Sequence, residues 1–149
     1  MRQLSLITIF STLLFVGLAD VTNSQAENLD GIVKGVSFCD DGQGVAVKEK
    51  RINLAMFDID QSGVPAITAL VTVDGTVFSL SGNALAKNTI FGVFQLFGDD
   101  GATSELAMNG KYKLDGNGTL VKVSGIFQTQ DLGALCITLG KFKAVNNAL

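Results

Sequence analysis

From Gly31 to Lys143, apolar and polar residues alternate with a period of two, and the alternation breaks at clusters of Asp, Gly and Asn. A strand sends successive side chains to opposite faces, so this pattern specifies extended segments; no stretch carries a capped 3.6-residue period. In the clearest segment Ile67, Ala69, Val71 and Val73 share one apolar face, while Thr68, Leu70 and Thr72 share the other. Asp74-Gly75 then turns the chain. Both central positions of a type I′ turn need positive φ, which Gly adopts freely and Asp tolerates, so 66–73 and 76–82 form a hairpin with Phe78 and Leu80 on its buried face.

The clusters Asp40-Asp41-Gly42-Gln43-Gly44, Asp99-Asp100-Gly101 and Asp115-Gly116-Asn117-Gly118 separate further strand-like runs. Strands are expected near 31–39, 44–48, 51–59, 65–73, 76–82, 89–98, 103–114 and 118–128, with 135–143 as a ninth and 83–88 as a connector. The fold class is all-β. Two-faced antiparallel strands hide their apolar sides in a closed barrel or in a β-sandwich. The eight- to nine-stranded barrel is favoured because Cys39 ends the first strand and Cys136 lies in the last, where a disulfide would staple the closing seam. The sandwich remains the alternative, since it too can set those strands side by side.

Ahead of this domain, Arg2 precedes an uncharged apolar run from Leu4 to Leu18, followed by small residues at Ala19 and at Ser24-Gln25-Ala26. That order reads as a secretory signal over 1–26, cleaved after Ala19 or Ala26, with a single domain over 27–149; the alternative is an uncleaved anchor. The run is shorter than the ~20 residues of a membrane-spanning helix. A secreted or periplasmic address follows, and it is one where a disulfide persists.

Composition narrows the chemistry. The chain has no His and no Trp, one Tyr and two Cys. Histidine-dependent nucleophilic catalysis, His-ligated metals and four-thiolate clusters are thereby excluded, and no catalytic residue, cofactor or metal is assigned. Asp58-Ile59-Asp60-Gln61-Ser62-Gly63 begins like a calcium loop but has Ala69 where the twelfth-position Glu belongs. A nonstandard site at Asp58 and Asp60, or at Asp99, Asp100 and Asp115, competes with the reading of these aspartates as turn formers. A net charge of −3 without a basic block argues against nucleic acid or an anionic membrane face as the main partner. A membrane-spanning barrel would need aromatic girdles that one Tyr cannot build.

Ile90, Phe91, Val93, Phe94, Leu96 and Phe97 put apolar groups on both faces of one strand. Such a strand is either covered on both sides or lines an internal cavity. The leading expectation is a non-enzymatic exported domain binding a small apolar molecule, with Phe78, Phe91, Phe94 and Phe127 as candidate ligand contacts, or an envelope or extracellular protein partner. A structural or assembly role, through exposed strand edges, is the first alternative. A carboxylate-dependent glycoside-acting enzyme is the second; besides Glu27, Glu49 and Glu105 are the only glutamates after the signal segment.

Overall fold

The computed structural model describes residues 27–39, 44–59 and 66–148. Residues 1–26, 40–43 and 60–65 lie outside the described residues, and with them the signal segment, the Asp40-Asp41-Gly42-Gln43 cluster and most of the calcium-like loop. Eight antiparallel strands follow in order: β1 (Glu27–Phe38), β2 (Gly44–Ile59), β3 (Ala66–Val73), β4 (Thr76–Ala86), β5 (Phe91–Asp99), β6 (Ser104–Leu114), β7 (Leu120–Asp131) and β8 (Cys136–Asn146). Each pairs with its sequence neighbour, and β1 also pairs with β8 from Leu29↔Asn146 to Phe38↔Ile137, so the sheet closes into a barrel. The closed ladder overturns the sandwich alternative.

The strand count is eight, because the expected segments 44–48 and 51–59 are one strand. A register shift between Val33 and Gly35 on β1 absorbs the irregularity there, and the charged residues that looked like a break continue the ladder. The expected connector at 83–88 is also corrected, since Ala84, Leu85 and Ala86 pair with Phe94, Val93 and Gly92. Asp74 and Gly75 have φ of 51° and 89°, as the type I′ hairpin between β3 and β4 requires.

Inward parity fills the barrel with Leu29, Leu54, Val71, Leu96, Leu106, Met108 and Val123, all fully buried. Burial of each such side chain is worth about 1.5–3 kcal/mol. Phe94 and Phe142 meet in this core with ring centroids 6.2 Å apart and planes at 54°. Glycines make room for the large rings on neighbouring strands. A Cβ at Gly140 would lie 2.6 Å from Phe127 Cε1, and one at Gly110 would lie 3.0 Å from Phe94 Cζ. Both are direct cross-strand pairs, so ring and glycine share one space.

The disulfide Cys39–Cys136 joins the end of β1 to the start of β8, closing a sequence separation of 97 at the seam. It defines the lower end of the barrel. The ends of β1, β3, β5 and β7 and the starts of β2, β4, β6 and β8 lie there, while Glu27 and Asn146 lie at the upper end. The core is apolar, and on the outer wall lysines stand among exposed apolar side chains such as Phe97, Ile126 and Leu139. No helix among the described residues is long and apolar enough to cross a membrane.

Candidate functional site

At the lower end, inward positions on the strands around the seam stop reading Leu and Val and begin reading Ser and Thr. Ser37 on β1, Thr138 on β8 and Thr129 on β7 are consecutive cross-strand neighbours, and all are half-buried. These small hydroxyl side chains leave space where a leucine would fill it. The neighbouring hairpins also differ in reach. β2 pairs with β3 only from Ile52 upward, so the lower part of the β1–β2 hairpin stands beyond the β3–β4 turn.

Together these features form a chamber of about 540 Å³, within the ~300–1,000 Å³ range of small-molecule pockets. Val33, Val45, Val47, Val73 and Phe127 give it an apolar lining. Its polar groups are few and placed at one level or on the rim. The Thr138 and Ser37 hydroxyls are hydrogen-bonded at 3.0 Å, and each can rotate to donate or accept. Lys50 donates to Asp74 at the mouth, forming an ion pair that is partly exposed. Val45 is 64% exposed at the same opening. The arrangement suits a small molecule with an apolar body and a polar group reaching the hydroxyls.

The four aromatic candidates are not brought together. Phe127 lines the chamber. Phe78 and Phe94 are buried in the core. Phe91 is 41% exposed and points outward, as does Phe97 at 57%. The expectation that β5 is covered on both faces is therefore corrected: Phe94 and Leu96 face in, whereas Phe91 and Phe97 have the opposite parity and face water. On β8 Ile137 and Leu139 lie outside while Cys136, Thr138 and Gly140 face in. Sequence reasoning missed Ser37, Val45, Val47, Thr129 and Thr138 as chamber residues. The available signal was hydroxyl residues at inward parity next to both cysteines.

Apart from Asp74 at the mouth, the carboxylates lie elsewhere. Glu49 pairs with Lys34 at 3.4 Å on the outer wall, and neither Glu49 nor Glu105 lines the chamber. The loop aspartates are engaged by their own turns. Asp99 accepts the Gly101 N–H, Asp115 accepts those of Asn117 and Thr119, and Asp131 accepts those of Gly133 and Ala134. Asp100 accepts the N–H groups of Ser104 and Ala102, which hold its carboxyl below the usual carboxylate range. Among the described residues no cluster of three metal-ligating side chains occurs. The Asp58 side chain, like Asp60, lies outside what is described.

No protein-family model matches the chain, and no curated protein matches it. A solved structure described as "Structure of EF1p2_mFAP2b bound to DFHBI" is similar at 14% identity and a TM-score of 0.38, covering 78% of this chain and 91% of that one. A likeness of that size carries no argument, and the fold rests on the strand pairing within this chain.

Proposed function

We propose that this chain is an exported, non-enzymatic binding domain whose lower chamber takes a small, largely apolar molecule with one or two polar groups. The observation that carries this reading is the contrast inside one barrel: a packed core above, and below it a chamber of about 540 Å³ lined by valines, Phe127 and three hydroxyl side chains. Apolar surface facing an open chamber gains by contacting a ligand instead of water. The Ser37–Thr138 hydroxyl pair and the Lys50–Asp74 rim supply orientation. An address outside the cytosol fits the disulfide.

Val45→Trp tests the proposal, because Val45 is exposed at the mouth and a larger side chain there fills the chamber without entering the core. Titration with the neutral apolar dye Nile red should give saturable binding to the native protein and at least about tenfold weaker binding to the variant, with unchanged thermal stability. Equal binding by both proteins would place the dye elsewhere and remove the basis for the reading.

One observation favours an assembly role as the second reading. Among the described residues, 44–50 on β2 have β1 as their hydrogen-bonded neighbour and no strand on the other side. Such an edge can accept a strand from another chain. Size-exclusion chromatography over a hundredfold concentration range addresses it directly, and a monomer throughout would count against self-assembly.

A further inference from the structure

The outer wall formed by β6, β7, β8 and β1 gathers Lys34, Lys111, Lys113, Lys122, Lys141 and Lys143, more than half of the chain's 11 basic residues. Lys34 stands directly opposite Lys141, and Lys113 directly opposite Lys122. Ser124 is flanked by Lys111 and Lys143. Like charges placed opposite one another destabilise a sheet, so stability alone does not account for the arrangement. Glu49 answers Lys34; among the described residues the other five have no ion-pair partner. On the far side of the barrel, the outward residues Thr68, Leu70 and Thr72 of β3 and Val77, Ser79, Ser81 and Asn83 of β4 carry no charge. The same wall has outward carboxylates only toward its ends, Asp30 on β1 and Glu105 on β6, so a protein of net charge −3 carries a local excess of lysine on one side.

That wall also contains a groove of about 860 Å³ running along β8. Ile32, Val36 and Ile126 supply its apolar surface, with Lys34, Lys141 and Lys143 beside them. Ile126 is 57% exposed. We propose that this wall docks on an anionic phospholipid surface, its ammonium groups against the phosphates and its Ile and Val side chains against the first acyl carbons. Lysine suits this geometry, because its stem lies along apolar surface while its head reaches charge. A bilayer surface presents both the anionic and the apolar component to one face. An acidic polysaccharide presents charge with many hydroxyls, and the groove offers these little beyond Ser124 and its lysines.

The experiment is co-sedimentation of the purified protein with phosphatidylcholine vesicles, with or without phosphatidylglycerol at about one third of the lipid. Two triple variants carry the same change in net charge: Lys111→Gln/Lys122→Gln/Lys143→Gln on the wall, and Ser79→Glu/Ser81→Glu/Asn83→Glu on the opposite side. Circular dichroism melting confirms that each is folded before use, and single Lys→Gln variants replace the wall triple if it is not. Binding is expected only with the anionic vesicles and should fall as salt is raised. The wall triple should weaken it at least about tenfold, and the opposite triple less than about twofold. Equal binding to neutral vesicles, or equal loss in both triples, would overturn the proposal. So would wall-dependent binding to a soluble acidic polysaccharide without binding to vesicles, which would identify a carbohydrate partner instead.

Discussion

Around Leu54, Leu96 and Met108 the barrel interior is packed with fully buried side chains, whereas around Ser37, Thr129 and Thr138 the same inward positions border an open chamber. Both regions obey one alternation, and both sit inside one closed ladder. They differ in side-chain volume and in hairpin length. Leucine and methionine at inward parity meet across the barrel; serine and threonine do not, and the β1–β2 hairpin outreaches the β3–β4 turn beside it. A filled barrel thus keeps an open compartment with little cost to its core, because the packed region alone supplies most of the apolar burial.

The largest effect should come from breaking the seam that borders the chamber. Cys39→Ser/Cys136→Ser releases a cross-link over 97 residues and is expected to cost about 4 kcal/mol in chemical denaturation, with dye binding in the chamber reduced as well. Unchanged stability would mean that the β1–β8 ladder holds the lower end unaided. Next, Leu96→Ala in the packed region should cost about 3 kcal/mol, while Val45→Ala at the chamber mouth should cost less than about 0.5 kcal/mol. Similar losses at the two positions would erase the distinction between the regions.

The smallest expected effect concerns the lower-end turn between β5 and β6. Asp100 is charged more readily in the folded protein than in the unfolded chain, because the Ser104 and Ala102 N–H groups donate to it. Its stabilising contribution is therefore present above the ordinary carboxylate pKa and is lost as pH falls through the lower, folded value. Asp100→Ala should lower the melting temperature modestly at pH 7, with the gap closing below about pH 4. A gap independent of pH would show that the carboxylate charge plays no part.

Much of the barrel was legible because it depends on local rules. Period-two alternation specified the strands, Asp74-Gly75 specified a turn, and the positions of Cys39 and Cys136 pointed to the closing seam. The candidate site was less legible. Phe91 and Phe94 are three residues apart, so in a regular strand they must face opposite ways, and proximity along the chain was a poor guide to a shared pocket. The chamber depends on where β3 begins to pair with β2, a register that no single segment encodes. The cationic wall was invisible for the same reason. Its lysines are dispersed over 34–143 as alternate residues, and they become neighbours only when β6, β7, β8 and β1 lie side by side. The absence of a basic block in the sequence therefore did not describe the surface.

Amide chemical-shift mapping of the isotope-labelled protein during addition of Nile red tests the chamber most directly. The account predicts saturable shifts concentrated at Ser37, Val45, Val47, Thr129 and Thr138, with the amides of Leu96 and Met108 unmoved. Shifts confined to the outer wall or spread evenly through the packed core would contradict it.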